Sequence, residues 1–238
     1  MILLLIVGFI IILSGAIYWL FMSSFSQVFG PYQWRVNTTD KVVALTFDDG
    51  PNEPYTSDLV DYLDNKGVKA TFFQVGKCVQ RYPETTKKMV RSGHVIGNHS
   101  LSHEFHKFFT EPGFDDQVSQ NQKILTDTIG KTPALFRSPW LWRQPRLLKT
   151  LRKYKLTPVS GEFCHSMEVF QIDGERIAKA ALRKVKPGAI IIFHDGFDSR
   201  GGNRSQTIKA AKIVVDHLLE NGYKMVTIDK LLGVEPYQ

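Results

Sequence analysis

From Lys41 onward the chain alternates short apolar runs with longer amphipathic stretches, and this alternation constrains the fold more than any other feature. VVALTF, KATFFQV, HVIGNH, ALFR, KLTPVSG, AIIIFH and YKMVTI read as strands, rich in β-branched and aromatic residues between turn residues. SDLVDYLDNKG, PETTKKMVRSG, DDQVSQNQKILTDTIG, PRLLKTLRKYK, GERIAKAALRKVKPG and SQTIKAAKIVVDHLLENG read as the intervening helices. Ser57 is placed to cap the first helix and Gly67 to stop it. Pro83 opens the second and Gly93 closes it. Repeated strand–helix units give a mainly parallel sheet with helices outside. Seven or so units can close into a barrel or lie as an open doubly wound sheet. No internal repeat or low-complexity tract is evident.

The 238 residues suffice for one globular domain plus an appendage, and the appendage is N-terminal. Ile2 to Met22 (ILLLIVGFIIILSGAIYWLFM) carries no charge. It matches the ~20 residues needed to cross a hydrocarbon core and exceeds the roughly 7–15 apolar residues of a signal peptide. Tyr18 and Trp19 near its end suit a membrane interface. The segment therefore reads as an uncleaved single-pass anchor. Secretion after signal cleavage is the alternative, with Ser24-Phe25-Ser26 as a small-x-small site. No Lys or Arg precedes the span and Arg35 is the first basic residue after it, which alone favours a cytoplasmic body. Residues 23–40 read as a spacer, 41–233 as the main domain and 234–238 as a tail.

Thirty Lys+Arg against 23 Asp+Glu give a formal charge of +7. Such a surface suits nucleic acid, acidic lipid or an anionic wall polymer. No nucleic-acid motif is present, so nucleic acid is set aside as a partner. RQPRLLKTLRKYK holds six basic residues and no acid. It reads as a solvated helix face, with contact to wall polymer or lipid head groups as the sharper alternative. Cys78 and Cys164 form no CxxC pair and read as two buried free thiols, with a disulfide the alternative if they meet in space. Oligomeric state has no signature here.

The strand ends hold the chemistry. Asp48 and Asp49 follow VVALTF, His99 follows HVIG, Arg137 ends ALF, and His194 ends AIIIF. Barrel enzymes gather catalytic groups at the C-terminal ends of their strands. Two adjacent acids at the end of a buried strand need partners, because an unpaired buried charge is costly. His99 and His103, spaced i, i+4, would share one helical face and make a competent pair of metal ligands. An oxygen from the aspartate pair completes a two-histidine, one-carboxylate site with open positions. The other aspartate is then free to take a proton from water activated by the metal. His194 titrates near neutrality and suits the general acid, and the oxyanion needs the metal and a backbone N–H. These residues indicate metal-assisted hydrolysis of an amide or ester without fixing which aspartate does what. His94, His106 and His217 read as structural or surface residues. Trp140 and Trp142 read equally as core or as sugar-stacking groups.

TFDDGP, then HSLSH about fifty residues on, then FRSPW and IIIFHDG, together resemble the NodB-type polysaccharide deacetylases, carbohydrate esterase family four. The resemblance runs from about Lys41 to Leu232. It implies a distorted (β/α) barrel of about seven parallel strands behind the N-terminal transmembrane helix. It implies Asp48 as general base, and Asp49 with His99 and His103 as ligands of a divalent ion, usually zinc, with cobalt or another ion possible. It implies Arg137 orienting the base, the Trp140 backbone N–H in the oxyanion hole, and His194 as general acid. The reaction implied is removal of N-acetyl groups from a polysaccharide, with peptidoglycan or an N-acetylglucosamine polymer foremost. An extracytoplasmic domain follows from that substrate, against the weak signal of Arg35. O-acetyl ester hydrolysis and a catalytically silent glycan-binding relative are the alternatives. Two departures stand out: Leu141 where the family usually has Gly, and "GEFCHSMEVF" where an acid should support the catalytic histidine. Glu162, His165 and Glu168 are available for that role, and Glu162 is the expectation. Phe163 or Phe170 would replace a tryptophan of the same segment.

Overall fold

The computed structural model describes residues 1–110 and 113–238. The chain opens with α1 (Ile2–Met22), none of whose side chains is buried. It is the one described helix long and apolar enough to cross a membrane. There follow β1 (Val42–Asp48), α2 (Tyr55–Asn65), β2 (Thr71–Gln74), α3 (Gly76–Arg81), α4 (Pro83–Arg91), β3 (Val95–Asn98), α5 (Gly113–Ile129) and β4 (Leu135–Phe136). The second half comprises α6 (Pro145–Lys153), β5 (Thr157–Pro158), β6 (Glu162–Phe163), α7 (Gly174–Lys184), β7 (Ile190–His194), α8 (Ser205–Glu220), β8 (Lys224–Met225) and α9 (Ile228–Leu232).

Seven strands pair in the order β5-β4-β3-β2-β1-β7-β6, every pair parallel. β8 adds to the start of β1. The two ends of this path, β5 and β6, are consecutive in the chain with only residues 159–161 between them. Three residues reach about 10–15 Å, so the ends must come together and the sheet must curl. This curled sheet of seven parallel strands is the distorted barrel that the family resemblance implied.

Alternation along β1 divides its side chains between two layers. Val43, Leu45 and Phe47 join the large core beneath α2, α7 and α8. Ala44 lies in the barrel interior with Phe73, Leu135, Val159 and Ile190. Thr46 and Asp48 follow Ala44 on that inner side by the same period. A third cluster joins Phe21 and Met22 of α1 to Trp142, Leu147, Leu151 and Phe114.

Local readings change in several places. Residues 23–40, expected as a spacer, pack on the domain. Ser24, Ser26 and Tyr32 are buried, Ser160 N donates to Gln33 O at 2.8 Å and Val36 N to Gly188 O at 2.8 Å. The tail is likewise tied down, with Ala134 N donating to Pro236 O and Gln238 N to Thr132 O. Pro54, not Ser57, occupies the N-cap of α2, and the Ser57 hydroxyl bonds Glu53 instead. Two helices, α3 and α4, fill the space between β2 and β3. YKMVTI pairs only over Lys224–Met225, because Ile228 already begins α9. Cys78 and Cys164 are buried and free.

Candidate active site

Arg137 continues β4 into the barrel interior with no exposed surface. Its Nη1 donates to Asp48 Oδ1 at 2.7 Å and to Thr46 Oγ1 at 2.7 Å, and Nη2 donates to Ser160 O at 2.9 Å. The guanidinium lies 4.2 Å above the Phe73 ring. Burial pulls the Arg137 pKa down, and the Asp48 charge opposes that pull. A guanidinium has no acceptor and keeps its proton, so this contact holds the Asp48 carboxylate in one orientation.

Asp49 follows with φ of 72°, a left-handed turn that aspartate tolerates. Its Oδ1 is buried without a hydrogen-bond donor and lies 3.3 Å from both His99 Nε2 and His103 Nε2. Burial alone would raise the Asp49 pKa, but His103 and His99 outweigh it and hold the group well below the carboxylate range. The two imidazoles do not share a helix. After β3 the chain turns through Ser100 (φ 71°) and His103 (φ 54°), with Ser100 N bonded to Asn98 Oδ1 and His103 N to Ser100 Oγ. Serine and asparagine side chains compete with helical hydrogen bonds in this way. The turn still brings both Nε2 atoms to Asp49, and the three donor atoms lie within 4.8 Å of one another.

The outer nitrogens of both rings are engaged. His99 Nδ1 lies 2.7 Å from Arg137 O, which fixes Nδ1 as the protonated nitrogen and leaves the Nε2 lone pair facing Asp49. His103 Nδ1 lies 2.8 Å from Asp198 Oδ1, at ion-pair distance without hydrogen-bond alignment. One orphaned carboxylate oxygen and two inward imidazole nitrogens, each backed by an acceptor, fit a divalent cation.

His194 ends β7 beside Asp48 in register. Its Nδ1 lies 2.7 Å from Glu168 Oε2, and Glu168 also accepts from Thr207 Oγ1. Burial would lower the His194 pKa, but Glu168 and then Asp49 and Asp48 raise it to about 9. Glu162, the residue expected to support His194, does not reach it. Phe163 stacks on the His194 ring at 5.9 Å, and in a strand the preceding residue points to the opposite face. Glu168 arrives instead from a 3-10 turn over Glu168–Phe170. Buried Arg204 braces that turn by donating to Val169 O at 3.1 Å. Phe170 is 70% exposed and away from this stack.

Both acidic loops depend on close backbone approach. A Cβ on Gly50 would collide with the Asp195 carboxylate, and one on Gly196 would collide with the Asp49 carbonyl. Burial pushes the Asp195 carboxyl up to about 7; its Thr56 bond opposes this and Asp49 adds to it.

Asp48, Asp49, His99, His103, His194, Trp140 and Glu168 line one cavity of about 430 Å³. Trp140 packs 4.2 Å from the His103 ring. Trp140 and Leu141 have φ of 53° and 55°, so Leu141 occupies a conformation natural to glycine. Strained backbone of this kind gathers at functional sites. Sequence reasoning missed Asp198, for which "HDGFDSR" offers only an ordinary loop acid, and Tyr18, a residue of α1 that also lines the cavity. His106 is largely exposed beside Glu104 and outside the cluster. His94 accepts from Ala70 N at 3.1 Å, a structural role.

A family profile described as polysaccharide deacetylase matches residues 35–159. The chain is 31% identical over 204 residues to a peptidoglycan-N-acetylglucosamine deacetylase of Bacillus cereus, covering 85% of this chain and 93% of that protein. It is 31% identical over 201 residues to a chitooligosaccharide deacetylase of Azorhizobium caulinodans, covering 80% and 94%. Among solved structures, a peptidoglycan N-acetylglucosamine deacetylase in complex with an N-oxidanyl-benzamide superposes with a TM-score of 0.80 at 26% identity, covering 87% of this chain and 95% of that one.

Proposed function

The chain belongs to the polysaccharide deacetylase family, and from that premise we propose that it is a metal-dependent hydrolase removing N-acetyl groups from a glycan of the peptidoglycan or N-acetylglucosamine class. The observation that supports this best is one cavity joining the Arg137-bound Asp48, the Asp49–His99–His103 cluster and the Glu168-bound His194. Each half-reaction of amide hydrolysis then has its own group.

Asp49 and the Nε2 atoms of His99 and His103 would hold the ion. Zinc suits two imidazoles and a carboxylate, and cobalt or another divalent ion is the alternative. Such an ion supplies Lewis-acid polarisation of a carbonyl and lowers the pKa of water. Asp48, held in orientation by Arg137, takes a proton from the water that adds to the acetamide carbonyl. The Trp140 backbone N–H is assigned to the developing oxyanion. His194 gives its proton to the departing nitrogen as the C–N bond breaks. Acetate and a free sugar amine leave. Glu168 positions His194 and favours the imidazolium, the role the sequence suggested for Glu162.

α1 is read as a single-pass anchor that places the domain outside the cytoplasm, where acetylated wall glycan lies. A cleaved signal is the alternative reading of the same segment.

The test is acetate release by the full-length protein in detergent, from peptidoglycan and from N-acetylglucosamine oligomers, with added zinc or cobalt. Acetate that requires metal and disappears in Asp48→Asn is expected. Metal binding without acetate from either substrate would sink the reading.

A further inference from the structure

The apolar helix ends at the active site. Tyr18 lines the same cavity as Asp48, Asp49 and His194. It lies four residues before the helix end at Met22, about one turn or ~6 Å along the axis. The junction is built in, not a loose tether. Phe21 stacks on Trp142 at 5.0 Å and 11°. Arg143 N donates to Phe21 O at 2.9 Å. The Arg143 guanidinium, fully buried, donates to the carbonyls of Ser23 and Ser24 and to Ser160 Oγ. Burying an arginine whose partners are two juxtamembrane carbonyls makes sense only if that segment keeps a fixed place on the domain.

Around this junction the surface is aromatic. Phe105 and Phe109 contact Trp142 at 5.4 and 5.1 Å and are 39% and 54% exposed, while Phe25 and Val28 are 49% and 57% exposed. Phe105 also meets Trp140, which meets His103, so aromatic rings run unbroken from the helix end to the proposed ion site. Basic α6 packs into the same cluster through Leu147 and Leu148 and leaves Lys149 and Arg152 exposed. Exposed aromatics beside a cationic helix, at the end of an apolar span, match the interfacial layer of an anionic bilayer.

We propose that the mouth of the site is seated in the membrane interface, and that its substrate is an acetamido-saccharide presented there on a lipid carrier. This rests on the deacetylase reading and on α1 as an anchor. Tyr18 cannot leave the interface without withdrawing the span, so the cavity it lines opens at head-group level. A sugar joined to a membrane lipid is already at that level. Glycan deep in a wall is not.

The test uses the full-length protein with zinc in phosphatidylglycerol vesicles. The substrates are a polyprenyl-diphosphate-linked saccharide bearing N-acetylglucosamine and the same saccharide diphosphate without its polyprenyl chain. At least tenfold higher kcat/KM for the lipid-linked form is expected, and Phe109→Asp should reduce that preference severalfold while sparing the soluble substrate. Placement is read separately. All four tryptophans (Trp19, Trp34, Trp140 and Trp142) lie in α1 or near its end. In a Trp19→Phe variant the remaining three should be quenched by lipids brominated near the head group. Absence of quenching overturns the placement whatever the activity. Equal kcat/KM on both substrates overturns the lipid-carried substrate and leaves the deacetylase reading standing. No acetate from either by a quenched, metal-loaded protein overturns both.

Discussion

Glu168 Oε2 lies 2.7 Å from His194 Nδ1, and the glutamate is buried at 1% exposure. The carboxylate therefore decides the charge of the imidazole. Burial alone would make His194 neutral, and Glu168 reverses this and brings its pKa to about 9. An acid catalyst works while protonated, so activity falls as pH rises through that value. Glu168→Gln removes the carboxylate's contribution and should move the alkaline limb of kcat/KM to lower pH by one unit or more, since one unit is about 1.4 kcal/mol. Glu162→Gln should leave that limb in place. A pH–rate profile of both variants decides between the two glutamates.

Asp198 backs His103 from outside the ligand cluster. Acceptors behind ligating imidazoles commonly contribute about 10–100-fold in metal affinity. Asp198→Asn should weaken zinc binding by that factor, read by competition with a chromogenic chelator. Unchanged affinity would mean that His103 is oriented by its turn alone.

Arg137 and Asp48 form a fully buried pair. Removing one partner leaves an uncompensated charge, at about 3–5 kcal/mol. Arg137→Met should lower the melting temperature and cut kcat by roughly 10²–10⁴, the range expected when a general base is disabled. Adding Asp48→Asn to that variant should restore much of the stability and none of the activity. If stability stays low in the double variant, packing rather than charge is the reason for the arginine.

Arg143 joins the juxtamembrane segment to the domain. Arg143→Met leaves the Ser23 and Ser24 carbonyls without that donor, a loss of about 1–3 kcal/mol in buried surroundings. Local opening of residues 23–30 should rise about tenfold or more. Chymotrypsin cleavage after Phe25 in detergent should accelerate in proportion, while the melting temperature of the domain changes little.

That these groups meet was legible because they sit at strand ends, where alternation and burial dictate the face. Asp48 follows Thr46 on the inner side of β1, Arg137 follows β4, and His194 ends β7 of the same sheet. Less legible was anything set by irregular backbone. The spacing of His99 and His103 suggested a helix, but Asn98 and Ser100 turn the chain by side-chain hydrogen bonds. Glu162 is nearer a strand than Glu168 and so attracted the supporting role. Facing is decided by a two-residue strand whose phase cannot be read from so short a run. The stretch 23–40 looks like a spacer because its anchor, Arg143, lies more than a hundred residues away and resembles any other basic side chain in its neighbourhood.

β1 has parallel neighbours on both sides, and one contact leading to the site, Thr46 Oγ1 to Ile191 O, joins residues 145 apart in sequence. Asp48 cannot take its place against His194 until the second half of the chain has been made and threaded beside the first. Pairings of such long range close slowly, because loop entropy is lost before any contact offsets it. A ribosome-bound chain stalled before β7 would thus carry the aspartates and both imidazoles yet hold no working site. The site exists only once β7 has been made and paired with β1.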